Sequence, residues 1–401
     1  MDVLPLDSST FYPTGIFEEY NTIIWTERCF DYGDFTIKST SVQQTIDALP
    51  IGSFITLRDT TEVMMVETHD ILTDKNGETS LTVSGRSLDS FLENRILVPP
   101  DMTSSEDWET AVSYTGPHFL SLLIWNALVN NSGFDPTRML GAKTIGSVQD
   151  FYLAVPNLVV SNTNIDDPVT KIYSLSKQTV SALVLDLQAQ NKLGVRIIRP
   201  ATRTRLPYQT ITFDVSNPES YGKVQIEEST DDTKLRIDVY KGMDRSVNQS
   251  LVDPVVFYNK LGHISEPHVL KSNKTEKNKV LVLSSDGYAS FPDDLSESFF
   301  GFKRRVSLLD ISKEKGEATQ EEWDLFLQSE GLVELAKNKV TLVADGKISD
   351  SNPYVYGKDY FLGDVITFAG NYEPYLSVYV NEVIRSQTSE GESTFPSVKQ
   401  F

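Results

Sequence analysis

Cysteine is almost absent from this sequence, with Cys29 the single one in 401 residues. One cysteine cannot form an internal disulfide or supply a cysteine-based metal cage. We interpret Cys29 as a small apolar side chain in a strand. Of the four histidines, His263 and His268 are five positions apart with Pro267 between them. Two ligands on one helical face would be four apart, so the sequence predicts no metal site and no bound cofactor.

Basic residues are also in deficit. The chain has 56 acidic and 36 basic residues and a net charge of −20. Such a surface repels phosphate, which argues against sequence-independent nucleic-acid binding, and we also predict no specific nucleic-acid binding. Two local basic clusters, at 271–279 and 303–305, lack the interleaved aromatic residues of a single-strand binder. We interpret the first as a solvated loop and the second as an anchor for a salt bridge.

Long apolar runs are missing as well. The longest uncharged stretch, Ala111 to Phe134, has an apolar part of about 11 residues, whereas a membrane-spanning helix needs about 20. The N-terminus carries Asp2 where a signal peptide would have its basic region. The sequence therefore predicts no membrane segment and a protein made in a cytoplasm without its own export signal.

Enzyme signatures are absent from the sequence. It has no Gly-x-Ser-x-Gly elbow, no P-loop and no Rossmann fingerprint. Acidic pairs such as Asp231-Asp232 and Asp293-Asp294 are expected by chance among 56 carboxylates, and most such pairs face water. We therefore predict a non-enzymatic protein with no catalytic residue.

Short β-type runs dominate what is present, and several alternate apolar with polar residues as half-buried antiparallel strands do. Asn76-Gly77 lies between two such runs and predicts a hairpin turn. Helix signals interrupt the strands; they predict helices at Pro117 to Asn131, at Ser176 to Leu193, from Thr319 to about Lys337, and a shorter one after Ser87.

The predicted fold class is mainly β with α+β insertions, in which two related β-barrel domains accompany mixed α/β domains. Pro99-Pro100 and the polar run after it predict a boundary. We predict a first barrel domain at 1–100 and an α+β domain at 101–205. A β-rich region with a second α+β part follows at 206–338, and a second barrel segment at 339–401.

One β pattern occurs twice. Pro50 to Leu57 aligns with Phe361 to Phe368, and each copy has a turn glycine, a small acceptor side chain and a strand with an Ile-Thr pair. A second strand and a polar hairpin follow in both copies. The pattern predicts an internal duplication, although any two antiparallel hairpins share some of these features.

An ordered series of motifs spans most of the chain. The motifs are Trp25 to Ile37, Ile51 to Ile55, Met65 to Glu67, Val83 to Leu88, Glu93 to Arg95, Val239 to Arg245, Val255 to Tyr258, Asn278 to Val280 and Tyr360 to Val365. No single motif is specific, but together they resemble the tail-hub proteins of siphophages, in particular the branch from phages of Gram-positive hosts. The family has Gly-Asp at the first barrel entry, where this chain has Gly52-Ser53.

The resemblance implies a homotrimer at the tail tip. Each subunit would supply two similar β-barrels, so that three subunits adapt the sixfold tail tube to a threefold tip and let the genome pass. The implied partners are the distal tail protein, the tape-measure protein and tail-tip or receptor-binding proteins. Two alternatives stay open, a tail-associated cell-wall hydrolase and a receptor-binding tail protein.

Four charged residues stand in the family-like motifs: Arg86, Arg95, Asp244 and Arg245. We predict that they form salt bridges between subunits or domains. Local stabilisation of turns would explain the same residues, and exposed pairs of that kind contribute only about 0–1 kcal/mol.

Overall fold

The computed structural model describes most of both ends of the chain and parts of its middle. By internal contacts the chain forms two compact units, the first comprising Met1–Pro267 with Gly346–Val398 and the second His268–Asp345 with Lys399–Phe401. The four-segment division stays a prediction. The described residues are 1–95, 110–115, 119–120, 123–124, 158–160, 170–175, 179–199, 208–212, 225–229, 235–285, 287–292, 301–311, 315, 319–348, 352–369 and 375–399.

Strands are the main elements, which confirms the prediction of a mainly β chain. The helices are α1 (Val42–Ala48), α2 (Val180–Asn191) and α3 (Gln320–Lys337), with 3-10 turns at Leu88–Asn94, Asn259–Leu261 and Gly301–Lys303. The strands are β1 (Val3–Leu6), β2 (Thr22–Arg28), β3 (Asp34–Ser39), β4 (Phe54–Leu57), β5 (Met64–Thr73), β6 (Thr79–Ser87), β7 (Thr110–Thr115), β8 (Leu158–Val160), β9 (Thr170–Leu175), β10 (Gly194–Ile198), β11 (Tyr208–Thr212), β12 (Gln225–Ser229), β13 (Leu235–Tyr240), β14 (Val256–Tyr258), β15 (Ile264–Ser272), β16 (Lys279–Ser284), β17 (Gly287–Phe291), β18 (Val306–Asp310), β19 (Thr341–Ile348), β20 (Val365–Ala369), β21 (Leu376–Thr388) and β22 (Gly391–Lys399).

Strands β1 to β6 form what we call the first module, with the order β1-β4-β5-β6-β3-β2 and antiparallel pairing throughout. Side chains in β6 alternate between buried and half-buried, as the period-two pattern predicts. The predicted hairpin at Asn76-Gly77 joins β5 to β6, and Gly77 takes a φ of 86°. Trp25 stacks on Phe35 with a centroid separation of 6.0 Å inside the core.

Strands β20 to β22 form the terminal module, which is built directly onto the first. Strand β2 pairs antiparallel with β21 from Ile23↔Gln387 to Arg28↔Glu382, so one continuous sheet runs through both modules. Strand β20 pairs antiparallel with β21 and parallel with β14. No pairing among the described strands closes this sheet into a barrel, and the two barrels stay a prediction.

Helix α2 packs in a second core of the first unit, against β10 and β13. The helix predicted at Ser176 to Leu193, with Ser176 as its N-cap, begins later than predicted. Thr179 is the N-cap, and its side chain accepts a hydrogen bond from Ala182 N at 3.2 Å. The helix ends at Lys192, which takes the left-handed conformation, while Gly194 already belongs to β10. Of the helix predicted at Pro117 to Asn131, the described residues 119–120 and 123–124 are helical and buried, and the rest lies outside the described residues.

The second unit contains a three-stranded sheet of order β17-β16-β18. Helix α3 covers one face of that sheet, where Trp323 and Leu327 pack against Val280 and Val282. The helix predicted to start after Thr319 is confirmed, and Trp323 N donates to Thr319 O at 3.0 Å. None of the helices in the described part of the chain is both long enough and apolar enough to cross a membrane.

Candidate functional site

The turn before β4 has a defined hydrogen-bond pattern. Gly52 takes a φ of 85°, a conformation that favours glycine. Its N–H donates to Val66 O at 2.8 Å, and Val66 N donates back to Ser53 O at 2.9 Å. Ser53 N donates to Pro50 O at 3.0 Å and closes the turn. The start of β4 is therefore fixed against β5 by the backbone alone.

The turn before β20 repeats this pattern bond for bond. Gly363 takes a φ of 87°, and its N–H donates to Val380 O at 2.8 Å. Val380 N donates back to Asp364 O at 2.9 Å, and Asp364 N donates to Phe361 O at 3.1 Å. The two glycines thus have the same conformation and the same partners in the following strand.

The strands after the two turns also pair in the same register. Phe54 and Ile55 of β4 have their counterparts 311 positions later in β20, and their partners in β5 have counterparts 314 positions later in β21. The alignment drawn from sequence is therefore confirmed in register as well as in pattern. The matching pairs are Phe54↔Met65 and Ile55↔Met64 in the first module, and Val365↔Tyr379 and Ile366↔Val378 in the terminal module.

The two turns differ in the side chain after the glycine. Asp364 is only 3% exposed and its carboxylate is fully engaged. Its Oδ1 accepts from Met243 N at 2.7 Å, and its Oδ2 accepts from Phe361 N at 3.0 Å and from Arg245 Nε at 2.8 Å. The hydroxyl of Ser53, by contrast, is buried with no hydrogen-bond partner among the described residues. Within the described residues, the side chain after the glycine therefore makes a long-range contact at the terminal turn and none at the first turn.

The segment Lys241 to Arg245 docks onto the terminal turn through its backbone as well. Val365 N donates to Met243 O at 2.9 Å, and Arg245 N donates to Val365 O at 2.7 Å. Gly242 lies so close to Gly363 that a Cβ on Gly242 would come within 1.8 Å of Gly363 O. The motifs Val239 to Arg245 and Tyr360 to Val365, which are far apart in sequence, thus pack directly against each other.

The four charged residues predicted from sequence occupy different places. Arg245 makes the buried ion pair with Asp364, whereas the carboxylate of Asp244 accepts locally from Ser246 N at 2.8 Å. Arg86 lies in β6 of the first module and Arg95 follows the 3-10 turn after it. Both are far in sequence from the Arg245–Asp364 pair. The structure therefore brings Arg245 into a long-range contact and places Asp244 in a local turn.

Arg86 links β6 to β5 and to the 3-10 turn that follows. Its Nε and Nη2 donate to the two carboxylate oxygens of Glu67 at 2.9 and 3.0 Å, and its Nη1 donates to Glu93 at 2.6 Å. These bonds raise the pKa of the Arg86 guanidinium, with Glu67 the largest cause. The guanidinium of Arg95 lies 4.6 Å from the ring centroid of Phe91, and the Arg95 carbonyl accepts from Val180 N at 2.9 Å.

Arg28, which sequence reasoning did not single out, connects the two modules. It lies directly opposite Glu382 in the β2–β21 pair, and its Nε donates to Glu382 Oε2 at 2.7 Å. Its Nη1 donates to Tyr32 O at 2.8 Å and also bonds the Asp34 carboxylate. Both ends of this bridge lie in segments of the repeated pattern or the family-like series, but only the strand pairing shows that they meet.

Cys29 is buried, and it lies directly after β2 rather than within a strand as predicted. Its N–H donates to Asn381 O at 2.8 Å, and its side chain faces Gly363. Burial raises the pKa of the Cys29 thiol to about 12, so the thiol is protonated at neutral pH. The interpretation of Cys29 as a small apolar side chain agrees with this placement.

Buried carboxyl groups make the folding stability of the first module depend on pH. Burial raises the pKa of Asp89 from 3.8 to about 7, and burial beside Glu27 raises the pKa of Glu62 well above its ordinary value. Because the folded chain binds these protons more tightly than the unfolded chain, stability should fall as pH rises from about 4 to about 7.

Replacing Asp89 by asparagine should reduce this loss of stability, since the amide carries no charge to desolvate. For Asp89 the upper limit of the effect is about 4 kcal/mol. Urea unfolding at a series of pH values measures it, and Glu78→Gln, which removes an exposed carboxylate, is the matched control. Equal pH profiles for the wild type and Asp89→Asn would contradict the assignment.

The described residues contain no group of three or more His, Cys, Asp or Glu side chains arranged to hold a metal ion. The arrangement of the two turns, the Arg245–Asp364 pair and the Arg28 bridge is mechanical: it fixes modules and segments to one another.

Solved structures of other proteins share the fold of this chain. The tail protein from Neisseria meningitidis MC58 has a similar structure, with a TM-score of 0.52, 11% identity, and coverage of 100% of this chain and 96% of that chain. The 43 kDa tail protein of prophage MuSo2 from Shewanella oneidensis has a TM-score of 0.52 and 11% identity, with coverage of 99% of this chain and 98% of that chain. At such identities the likeness shows the fold.

Sequence comparison gives the family. No curated protein matches the chain. The model of the Siphovirus ReqiPepy6 Gp37-like protein family matches residues 8–395, nearly the whole chain. The resemblance to siphophage tail proteins is thereby confirmed. The chain belongs to the Siphovirus ReqiPepy6 Gp37-like protein family and is a component of the virion tail.

Proposed function

We propose that this chain is a non-enzymatic hub subunit at the tail tip, and that three copies form a ring. The observation that carries the proposal is the repeated turn and hairpin, with the same glycine conformation, the same hydrogen bonds and the same strand register in both modules. Three subunits with two such modules each present six similar elements. A ring of this kind matches a sixfold tube on one side and a threefold tip on the other.

The connection between the modules supports the proposal. Because β2 pairs with β21, the two modules share one sheet inside each subunit, and the Arg28–Glu382 ion pair bridges the same strands. A shared sheet holds the modules at a fixed separation and angle. Fixed spacing within each subunit is what three copies need in order to place six modules at regular intervals.

The partners follow from the family-like motifs. The ring would contact the distal tail protein on the tube side, the tape-measure protein inside, and tail-tip or receptor-binding proteins on the distal side. Its mechanism would be mechanical: it holds the end of the channel, transmits receptor engagement and lets the genome pass.

The mass in solution together with negative-stain images tests the proposal. We expect a species of three times the chain mass of 45.0 kDa and ring-shaped particles with six similar peripheral densities. A monomer at all concentrations, with no ring in assembled tails, would overturn the trimer.

A zymogram on host cell walls should show no clearing, and clearing would favour the wall-hydrolase alternative.

A further inference from the structure

The central strand of the second unit, β16, is apolar on both of its faces. Val280 and Val282 are fully buried against helix α3. Leu281 and Leu283 alternate with them and therefore point to the opposite face of the sheet. A run of apolar residues at every position is typical of a strand that is covered on both sides.

The neighbouring strands extend this second apolar face. On it Tyr288 is 78% exposed, Leu308 62% and Val306 51%. The strand register places Leu281 opposite Leu308 and Leu283 opposite Tyr288, so the side chains form one contiguous patch. We call this patch, made of Leu281, Leu283, Tyr288, Val306 and Leu308, the open sheet face.

The pairing of the strands is a second reason to expect a layer over the open sheet face. Strands β16 and β18 pair in parallel, a pairing that is most common in sheets with both faces covered, whereas β16 and β17 pair antiparallel. Helix α3 covers one face, and the other carries exposed apolar side chains in the isolated chain. A covering layer is therefore expected from outside this unit.

Helix α3 has an exposed stripe that would suit such a layer. Leu325 is 60% exposed and Leu332 is 49% exposed, and their spacing of seven residues places both on the same side of the helix. Glu321 and Asp324 are exposed at the N-terminal end of that stripe. The outer side of α3 is thus an apolar stripe with an acidic end.

A basic cluster lies at one end of the open sheet face. The two basic segments noted in the sequence meet there, because Asn278 N donates to Arg305 O and Arg305 N donates to Asn278 Oδ1, both at 2.9 Å. Asn278 Nδ2 also donates to Lys303 O at 2.7 Å. These contacts place the basic residues beside the starts of β16 and β18, and Lys303 and Arg304 are exposed.

We propose that the open sheet face binds the outer side of helix α3 from a second copy of this chain. The apolar patch would cover Leu325 and Leu332, and the basic cluster would face the acidic end of the same helix. The charge of the two surfaces is opposite within a chain that is acidic overall, which favours this occupant.

The geometry of this contact is head-to-tail. Because α3 and the open sheet face lie on opposite sides of the same sheet, each copy offers one surface to the copy before it and the other to the copy after it. Such heterologous contacts close into a ring when the rotation between copies allows. The inference rests on the proposed trimer and names a surface that holds it together.

Site-specific cross-linking of the full chain tests the contact. We would prepare Leu308→Cys and Leu325→Cys separately, mix them, and add a short bis-maleimide. Cys29 is 2% exposed and is left in place. A head-to-tail contact should give a covalent dimer in the mixture and little in either variant alone. A mixture of Leu251→Cys with Leu325→Cys is the matched control, since Leu251 is 92% exposed in the first unit.

The outcomes separate the contact from the trimer. Cross-linking in the Leu308 and Leu325 mixture alone supports the contact. Cross-linking of Leu308→Cys with itself would mean a two-fold contact and would overturn it. A wild-type trimer whose mixed variants do not cross-link would overturn this contact and leave the trimer standing, whereas a wild-type monomer would overturn both.

A second variant separates loss of the contact from loss of folding. Leu308→Asp places a charge on an exposed position, so the circular dichroism spectrum should be unchanged while the trimer dissociates at least tenfold more readily on dilution. Leu251→Asp should leave the mass in solution unchanged. Equal dissociation of the two variants would overturn the contact.

Discussion

Replacing Asp364 by alanine should destabilise the first unit by about 3–5 kcal/mol, because it leaves the Arg245 guanidinium without its carboxylate in a mostly buried place. The same change removes the acceptor from the Met243 and Phe361 N–H groups. Orphaned buried donors cost about 1–3 kcal/mol each when nothing replaces the acceptor. Differential scanning calorimetry, compared with the wild type, measures the loss.

The matched control is Asp244→Ala, which removes the neighbouring carboxylate of the same motif. Among the described residues, the Asp244 side chain accepts only from Ser246 N in its own turn, so about 0.5–1.5 kcal/mol is expected. Asp364→Ser, which installs the side chain found in the first module, should behave like Asp364→Ala because a hydroxyl cannot pair with Arg245. An effect of Asp364→Ala no larger than that of Asp244→Ala would show that the buried pair contributes nothing.

A double variant distinguishes a lost ion pair from a damaged turn. Combining Asp364→Ala with Arg245→Met removes the unpaired charge and keeps an apolar side chain of similar length. If the cost arises from the uncompensated guanidinium, the double variant should be more stable than Asp364→Ala. A double variant that is less stable than both single variants would instead assign the cost to the turn backbone.

The repeated unit was predictable from sequence because every part of it is local. A glycine at a turn, a small acceptor after it and alternation in the next strand are set by neighbouring residues, and the structure confirms the alignment of Pro50 to Leu57 with Phe361 to Phe368. The hairpin at Asn76-Gly77 and the helix after Thr319 were predictable for the same reason.

The contacts between distant segments were not predictable from sequence. Pairing of β2 with β21 joins residues more than 350 positions apart. The residue types in these strands do not indicate which strand is the neighbour of which in the sheet. The partner of Arg245 is likewise one of 56 acidic residues, so Arg245 could be singled out from the sequence but its partner Asp364 could not. Helix α1 was missed because its 7 residues are too short for a periodic signal.

Replacing Gly242 by alanine should destabilise the first unit by about 3 kcal/mol, the upper end of the usual cost of overpacking, through a steric mechanism. Gly242 is not among the glycines with positive φ, so alanine fits its own backbone conformation. The added Cβ, however, would lie 1.8 Å from Gly363 O and 2.5 Å from Asp364 N. Both are backbone atoms that cannot rotate away, so the segment from Lys241 to Arg245 must separate from the terminal turn.

Gly15→Ala is the matched control, since a Cβ at Gly15 has nothing within 4 Å and should change stability by no more than about 0.5 kcal/mol. The double variant Gly242→Ala with Asp364→Ala carries the sharper test. Because both changes break the same docking of the segment onto the turn, their effects should not add, and the double variant should be little worse than either single one. Hydrogen exchange at Met243 and Arg245 should rise to the same level in all three. Fully additive losses would mean that the close glycine contact and the buried ion pair stabilise the fold independently, and that these two motifs do not act as one unit.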